Sequence, residues 1–432
     1  MLMQLERSVR TRRRPTALDS SAVQLLLLLF AGVALPAVVT AAWLRWSVVN
    51  EPQFHVSALG SAIAIITGFV LIRKVTAYPG TGAFGMLLPS FATAFGLMTA
   101  VLLGLRINYS GIFLSVSVIL VVAGAFIVFL ARERASRAHF YVVPYGRTEL
   151  LFNVADVDWT VMDRPEPPTD PDAAIVADLR HDHDDIWERM LAEAVIRGHP
   201  VYHTKQIWES LTGRVSIEHM SENSFGSLLP NLAYRRVKRF VEVVAALLLA
   251  PVLLLPMAAI ALAIRLDSPG SVFFVQDRMG YRGRAFRMFK FRTMRPRAAQ
   301  DDDEAARTDA ITKSDDARVT RIGRFLRRTR LDELPQILNV LRGEMSFIGP
   351  RPEAVALSRW YEAEIPFYRY RHIVRPGITG WAQVKQGHVA ELSEVDQKLS
   401  FDFYYIKNFS LWLDVLIALR TVPTMLSGFG SK

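Results

Sequence analysis

The feature that most constrains the fold of this chain is a set of four long apolar segments in its first third. They cover residues 23–44, 56–72, 84–105 and 112–131. Each is close to the roughly 20 residues that a helix needs to cross the hydrocarbon core of a bilayer. The first is not interpreted as a cleaved signal peptide, because no small-residue cleavage site ends it and three more segments follow. We therefore predict four transmembrane helices over residues 21–132, preceded by a basic cytoplasmic tail at residues 1–20.

The four segments contain almost no ionisable residues, which favours anchoring over a transport pathway. Their orientation follows from the rule that basic loops stay in the cytoplasm. Arg73 and Lys74 follow the second segment and several arginines follow the fourth, whereas the opposite turns hold only Arg45 and Arg106. Everything after Ala131 is therefore predicted to begin in the cytoplasm.

Composition indicates a membrane protein with a substantial soluble part. The 432 residues are 51% hydrophobic, yet 21% are charged. A net charge of +10 suits nucleic acid or an anionic membrane surface, and the apolar segments favour the lipid bilayer. No aromatic-interleaved basic segment and no zinc-finger spacing is present, so no nucleic-acid partner is predicted. Cysteine is absent, which excludes disulfides and thiolate metal sites.

A fifth apolar run, residues 243–264, carries Pro251 and Pro256 near its middle. Each interior proline destabilises a straight helix by about 3 kcal/mol, so two of them favour a bent helix. Basic residues flank this run on both sides, so a crossing would place the arginine-rich C-terminal part outside, against the charge rule. We predict a kinked, re-entrant membrane helix over residues 238–265, with an ordinary kinked fifth span as the alternative.

Residues 138–229 alternate between strand and helix patterns, which predicts a small cytoplasmic, Rossmann-like α/β domain with a partly parallel sheet. The predicted strands are 140–143, 157–162, 174–177 and 200–203, and the predicted helix is 184–197. The turn after the first strand holds only Gly146 and lacks the G-x-G-x-x-G pattern, so no dinucleotide cofactor is predicted. A regulatory, packing or oligomerisation role is the favoured interpretation.

Two clusters of acidic residues are interpreted as structural. Residues 181–185 stand at a predicted helix start, where carboxylates cap free amides. Residues 301–304 lie in a polar stretch that is typical of a solvated loop. Metal binding is the less favoured interpretation of both, because no partner ligands are recognisable.

The stretch Leu331–Gln336 places two adjacent carboxylates, Asp332 and Glu333, among many arginines. Cationic surroundings lower the pKa of a carboxyl group and also attract phosphate. A carboxylate, phosphate-binding cations and a membrane element together indicate phosphoryl chemistry at a lipid surface. Taken alone, the pair would more often be a solvated helix face.

Further cationic residues stand in rigid loops and at strand ends. The loop at residues 346–352 presents Arg351, and a glycine-rich turn at 375–381 begins with Arg375. Lys290, Arg292 and Thr293 lie on or beside a predicted strand over 286–291, and a second strand is predicted at 272–275. A helix is predicted at 322–339, interrupted or capped around Pro335. The planar fork of arginine matches phosphate oxygens, and a rigid loop reduces the entropy of holding it in place.

In order, these segments resemble the polyprenyl-phosphate phosphoglycosyl transferases, the bacterial sugar transferase family, in its long form. The resemblance runs from about Arg235 to the C-terminus and rests on six ordered strings. These are LAIRLDSPG (262–270), QDRMG (276–280), KFRTM (290–294), LDELPQ (331–336), GPRP (349–352) and RPGITGWAQV (375–384). One departure is Ala250, which stands where a small polar residue often precedes the proline at the kink.

The resemblance implies a phosphoglycosyl transferase domain over residues 230–432, with a mixed α/β catalytic part on the cytoplasmic face of the bacterial inner membrane. It implies transfer of a hexose-1-phosphate from a UDP-sugar to undecaprenyl phosphate, with release of UMP. Asp332 would be the nucleophile, forming a covalent phosphosugar-aspartate, and would bind Mg²⁺ together with the diphosphate. Glu333 would organise the site or deprotonate the lipid phosphate.

Elementary chemistry agrees with that expectation. An aspartyl phosphate is an established covalent strategy, and the charge of the diphosphate needs cations. Magnesium takes only one or two carboxylates and keeps several waters. The predicted substrate-binding residues are Lys290, Arg292, Thr293, Arg327, Arg351 and Arg375.

Several alternatives stay open from the sequence. A non-catalytic scaffold or signalling protein of polysaccharide assembly would not need the Asp332-Glu333 pair, and a hydrolase of nucleotide sugars would not need a lipid-facing helix. The apolar stretch 411–426 suits an interfacial helix or a core helix about equally. The transferred sugar is not specified by any motif, and the assembly is either a monomer or a homodimer through the membrane or α/β segments.

Overall fold

The protein is described here by a computed structural model that covers residues 20–44, 50–78, 83–133, 138–154, 157–170, 173–216, 230–295, 318–386 and 392–427. The chain divides into two compact units, Met1–Gly213 and Arg214–Lys432. Residues 1–19 of the predicted basic tail, Arg45 and the acidic tract at 301–304 lie outside the described residues.

The first unit begins with the predicted apolar helices. They are α1 (Ser21–Leu29), continued by a π-helical turn (Phe30–Ala34) and α2 (Leu35–Leu44), then α3 (Pro52–Val75), α4 (Ala83–Gly104) and α5 (Gly111–Glu133). Leu28, Ile65, Phe91 and Val121 share one buried apolar core. Close packing depends on a small residue at Gly68, where a Cβ atom would lie 2.6 Å from the Phe91 ring.

Five helices among the described residues are long and apolar enough to cross a bilayer. Four cover residues 21–43, 52–75, 85–104 and 111–131, and the fifth covers residues 232–267. The chain thus has the helical content of a membrane protein near its N-terminus, combined with mixed helical and sheet structure.

A parallel four-stranded sheet follows in the same unit. Its strands are β1 (Ala138–Val142), β2 (Val157–Val161), β3 (Ala174–Ala177) and β4 (Val201–His203), in the order β2-β1-β3-β4, with helices α6 (Glu149–Phe152), α7 (Asp185–Ile196) and α8 (Thr204–Thr212). Trp187 of α7 packs in the core on one face of the sheet, and Ile207 of α8 packs in the core on the other. Asp184 caps α7 by accepting a hydrogen bond from the Trp187 N–H, as predicted for an acidic helix start. The predicted α/β elements are confirmed to within one or two residues.

The second unit contains a long helix and a compact mixed domain. Its elements are α9 (Leu232–Asp267), β5 (Phe273–Met279), β6 (Ala285–Phe291), α10 (Arg321–Thr329), a 3₁₀ turn (Leu331–Gln336), α11 (Ile337–Arg342), β7 (Ser346–Ile348), α12 (Val355–Glu364), a second 3₁₀ turn (Tyr368–Ile373), β8 (Gly377–Thr379), α13 (Trp381–Lys385), α14 (Leu392–Lys407) and α15 (Leu411–Ser427). Strands β5 and β6 form an antiparallel hairpin, and β7 pairs with β8 in parallel. The helix predicted at 322–339, with an interruption or cap around Pro335, is indeed interrupted. The break begins at Arg330 rather than at Pro335, because Arg330 adopts a left-handed conformation (φ 55°) and ends α10.

Helix α9 contacts the mixed domain at both of its ends. Near its start, the Lys238 ammonium lies 2.6 Å from the Asp414 carboxylate of α15, and both side chains are buried. Near its end, Ile264 packs in a core with Phe291 and Leu326. The helix is 36 residues long and continues through both interior prolines, so the bend predicted there stays a prediction.

Helix α15 packs as a core helix along one face. Leu413, Leu416 and Ile417 are fully buried, whereas Leu411 and Val422 are exposed. Of the two interpretations of this stretch, the structure favours the core helix.

Candidate active site

The two carboxylates predicted to be catalytic lie on the 3₁₀ turn between α10 and α11. Pro335 has no N–H to donate, and Arg330 has already ended α10, so the chain makes a tight turn here rather than a continuous helix. The turn packs against β6, and its two carboxylate side chains are almost completely buried, with Asp332 9% and Glu333 7% exposed. Buried carboxylates need partners or a function.

Strand β6 supplies the first partner. Lys290 Nζ lies 3.2 Å from Glu333 Oε1. The position of β6 is fixed by Asn339 of α11, whose amide nitrogen donates to the Arg287 carbonyl (2.7 Å) and whose oxygen accepts from the Phe289 N–H (3.1 Å). A fully buried asparagine therefore ties the helix after the carboxylates to the strand that carries the lysine.

The second partner is Arg351, whose NH1 lies 3.3 Å from Glu333 Oε1. Its loop follows β7 and is pressed against the turn that begins with Arg375. A Cβ atom at Gly377 would lie 2.1 Å from the Gly349 nitrogen, and one at Gly349 would lie 2.4 Å from the Arg375 carbonyl oxygen. Only glycine permits this backbone contact, which explains why both predicted loops carry one at these positions.

A buried network of ion pairs and hydrogen bonds holds the loop that carries Arg351 in place. Arg371 donates to the Arg351 carbonyl (2.9 Å) and forms an ion pair with Asp402 (2.8 Å). Lys398 pairs with Glu353, two residues after Arg351. Because every member has a partner of opposite charge, the network orients the loop without leaving a lone buried charge.

The two neighbouring carboxyl groups differ in their pKa. Burial alone would raise the pKa of Glu333, but Lys290, Arg351 and Arg330 outweigh it and lower that pKa to about 2. For Asp332, burial dominates and raises the pKa to about 6, with Glu333 adding to the rise and Lys290 partly opposing it. The expectation that cations lower the pKa is thus right for Glu333 and wrong for Asp332, because desolvation exceeds the attraction there.

Asp332 also differs in its contacts. Among the described residues, no group donates a hydrogen bond to its carboxylate, whereas Glu333 accepts from Lys290 and Arg351. The site therefore contains one carboxylate held by cations and, next to it, one whose oxygens remain available.

The other predicted site residues fall into two groups. Arg327 of α10 acts electrostatically on Asp332. Arg292 is buried and donates to the Ser268 carbonyl (2.7 Å) and to the Pro269 carbonyl (2.9 Å), so it holds the turn after α9.

Arg375 donates to the Gly343 carbonyl (2.9 Å) and stacks over Tyr281, and Thr293 accepts through its carbonyl from the Thr320 N–H. Among the contacts of the described residues, none joins Arg292, Thr293 or Arg375 to the carboxylate pair. Pro251 and Pro256 lie exposed on α9.

Two further cationic residues of the site, Arg278 and Arg330, are not among the predicted substrate-binding residues. Arg278 of β5 donates to the Pro352 carbonyl (3.1 Å) beside Arg351, and burial lowers its pKa to about 10. Arg330 lowers the pKa of Glu333 from the left-handed position before the turn. The alternation of side chains along the strands could have predicted the position of Arg278, because the hairpin register places Arg278 on the same face as Lys290.

Chemically, this arrangement suits attack by Asp332 on an electron-poor phosphorus. Surrounding cations offset the negative charge of a diphosphate and of its leaving group. The residues also fit Mg²⁺, since one available carboxylate and the oxygens of a diphosphate are sufficient ligands.

Comparisons with known proteins agree with the sequence motifs. The family model described as bacterial sugar transferase matches residues 233–428. The UDP-N-acetylgalactosamine-undecaprenyl-phosphate N-acetylgalactosaminephosphotransferase of Aeromonas hydrophila is 42% identical over 405 residues, 93% of each chain.

Two further relatives match the C-terminal part. The UDP-glucose:undecaprenyl-phosphate glucose-1-phosphate transferase of Caulobacter vibrioides is 47% identical over 208 residues, 47% of this chain and 74% of the relative. The exopolysaccharide production protein PSS of Rhizobium leguminosarum bv. phaseoli is 42% identical over 193 residues, 44% of this chain and 92% of the relative.

Proposed function

Because this chain belongs to the bacterial sugar transferase family and is a phosphoglycosyl transferase, we propose that it transfers a hexose-1-phosphate from a UDP-sugar to undecaprenyl phosphate and releases UMP. The observation that carries this proposal is the buried pair of carboxylates, of which Glu333 is held by cations and Asp332 is available. The relative that matches 93% of this chain is named for a UDP-N-acetylgalactosamine donor, and the Caulobacter relative is named for a UDP-glucose donor. These two UDP-sugars are the first donors to test.

In the first step, a carboxylate oxygen of Asp332 attacks the β-phosphorus of the donor. The new bond joins that oxygen to phosphorus, and the bond from this phosphorus to the bridging oxygen breaks. UMP leaves with the bonding electrons, and the sugar phosphate stays on Asp332. Lys290 and Arg351, both within 3.3 Å of the neighbouring Glu333, lie where they can offset the charge that develops on the phosphoryl oxygens.

In the second step, an oxygen of undecaprenyl phosphate attacks the same phosphorus and Asp332 leaves as a carboxylate. Of the two roles considered for Glu333, positioning is better supported than proton abstraction. A carboxyl group with a pKa of about 2 stays ionised and is a weak base near neutral pH. Glu333 would therefore hold Lys290 and Arg351 in place.

Magnesium would be bound by Asp332 and the donor diphosphate. It would supply Lewis-acid stabilisation of the phosphoryl charge. No group of three or more acidic or histidine side chains that could hold a metal occurs among the described residues, which is compatible with an ion that takes its remaining ligands from substrate and water.

We also propose that α9 enters the inner membrane and returns to the cytoplasmic side, with the catalytic domain facing the cytoplasm and the N-terminal helices crossing the bilayer. Support comes from the contacts of Lys238 and Ile264, at opposite ends of α9, with the same domain. A helix that crossed completely would separate its ends by the full membrane thickness. A product that begins an exopolysaccharide or capsule repeat unit is suggested by the Rhizobium relative.

The covalent step is tested by intact mass spectrometry of the full chain with Mg²⁺, without lipid, and with UDP-N-acetylgalactosamine or UDP-glucose. We expect a mass increase of one sugar phosphate with one donor, and no increase for Asp332→Asn. Undecaprenyl phosphate should then remove the added mass and yield the lipid-linked sugar.

Three results would contradict the proposal. UMP release and lipid product from Asp332→Asn at the wild-type rate would exclude Asp332 as nucleophile. Lipid-independent release of free sugar phosphate as the main product would favour a hydrolase. No donor turnover even with lipid would favour a scaffold.

A further inference from the structure

A cavity of about 170 Å³ lies between the membrane helix and the catalytic pair. Its wall includes Leu249 and Leu253 of α9 on one side and Arg330 and Glu333 on the other. One partly open space thus contacts both the apolar helix proposed to enter the bilayer and Glu333 of the proposed reaction centre.

Most of the remaining wall is apolar. Phe347, Ile378 and Val384 contribute hydrophobic side chains. Thr421 and Thr424 also line the cavity, but their hydroxyls donate to carbonyls one turn earlier in α15, at 2.7 Å each. Their hydrogen-bonding groups are therefore satisfied within the helix, and the surface they add is less polar than their identity suggests.

The volume of the cavity matches a small hydrocarbon group. An apolar cavity of roughly 150 Å³ in a protein core admits one benzene molecule. A branched five-carbon unit is of similar size, whereas a complete UDP-sugar or a long polyprenyl chain is far too large for this space.

We propose that this cavity receives the isoprene unit of the acceptor that is adjacent to its phosphate. The inference rests on the proposed function, in which undecaprenyl phosphate is the acceptor. With the first isoprene between Leu253 and Phe347, the attached phosphate lies beside Glu333, next to Asp332. The rest of the chain continues along α9 towards the bilayer.

A different occupant, the uracil ring of the donor, is suggested by one polar group. Gln383 lines the cavity, and its buried Oε1 accepts no hydrogen bond from the described residues. A uracil N–H would suit it. The apolar character of the wall and the contribution of α9 favour the lipid, and the two occupants predict opposite kinetic effects.

The test fills the cavity in the full-length enzyme and follows the two half-reactions separately. Leu253→Trp fills it from α9, and Val384→Phe fills it from α13. Leu254→Trp is the matched control, because Leu254 is the next residue of the same helix, is 66% exposed and does not line the cavity. UMP release without lipid reports the first half-reaction, and lipid product reports the second.

We expect Leu253→Trp and Val384→Phe to raise KM for polyprenyl phosphate at least tenfold, with KM for the UDP-sugar within twofold of wild type. Leu254→Trp should match wild type in both. An unchanged acceptor KM in the two filled variants would overturn the proposal, and a selective rise in donor KM would assign the cavity to the nucleoside instead.

A variant that enlarges the cavity, Leu253→Ala, provides a second test if the filled variants do not fold. Wild type should distinguish two acceptors of equal length that differ only by saturation of the first isoprene. Leu253→Ala should reduce that discrimination severalfold, and unchanged discrimination would overturn the proposal. A wild-type enzyme that releases no UMP from any donor would refute the proposed function itself, which is a separate outcome.

Discussion

At the candidate active site, Asp332 and Glu333 occupy the same buried turn but have different partners. Lys290 and Arg351 both contact Glu333, while the Asp332 carboxylate accepts no hydrogen bond among the described residues. Their pKa values are separated accordingly, about 2 for Glu333 and about 6 for Asp332. Adjacent carboxyl groups whose pKa values are pushed apart are typical of a division of roles.

This difference predicts a pH dependence for the first half-reaction. In the proposed mechanism, attack requires ionised Asp332. Because burial raises the pKa of Asp332 to about 6, this carboxylate becomes protonated as pH falls through that value. The rate of UMP release without lipid should therefore decline below about pH 6. Glu333 should not contribute to this decline, because its pKa of about 2 keeps it ionised in this range. Measuring single-turnover UMP release between pH 5 and 8 gives the part of the pH–rate profile in which the rate falls as pH decreases, called here the acidic limb.

Replacing Lys290 should move this limb in a defined direction. Lys290 opposes the rise of the Asp332 pKa, so its removal in Lys290→Gln should raise that pKa further and shift the acidic limb to higher pH. Lys290→Arg keeps the charge and should restore the limb to its wild-type position. A limb at the same pH in Lys290→Gln would show that Asp332 does not control it.

At the scale of single elements, Arg292 connects the end of α9 to the hairpin. Its guanidinium donates to the carbonyls of Ser268 and Pro269 in the turn that follows the helix. This placement favours a role of Arg292 in holding the end of α9. The alternative is the predicted role of Arg292 in donor binding.

Arg292→Met should therefore lower stability more than it affects donor binding. Each hydrogen bond from a charged group contributes about 1.5–3 kcal/mol, so a loss of about 3 kcal/mol in the free energy of unfolding is expected. Thermal unfolding of the detergent-solubilised protein and KM for the donor are the measurements. Arg295→Met, at an exposed position nearby, is the control. An unchanged unfolding temperature with a tenfold higher donor KM would support donor binding.

At the scale of the whole molecule, the membrane topology of α9 decides on which side the chemistry takes place. The absence of cysteine makes this directly measurable, because single cysteines can be introduced without a background. Ala233 and Ser271 are exposed and lie on either side of the apolar part of α9, and Asn108 lies in an exposed turn before α5.

A re-entrant α9 predicts that Ala233→Cys and Ser271→Cys react with a membrane-impermeant maleimide only after permeabilisation of spheroplasts. Asn108→Cys should react before permeabilisation, since its turn is predicted to face outwards. Labelling of Ser271→Cys but not Ala233→Cys in intact spheroplasts would show instead that α9 crosses the membrane completely.

Local signals in the sequence were sufficient for the four strands and helix α7 of the α/β domain. Alternating strands, the acidic start of α7 and the long apolar helices all depend on nearby residues, and the structure confirms them. The interruption of the helix at 322–339 was expected around Pro335, but its start at Arg330 was not, because a helical pattern does not reveal a left-handed residue that tertiary packing imposes.

By itself, the sequence determined the membrane character of this protein, its family and the identity of the carboxylate pair, since each follows from local composition or an ordered motif. Only the tertiary structure decided which cations surround that pair. Lys290 and Arg351 meet Glu333 across 43 and 18 residues of chain, while Arg292, two residues from Lys290, holds the turn after α9 instead. The physical reason is that contact and burial depend on how distant segments pack together, and these two quantities separate the pKa of Asp332 from that of Glu333.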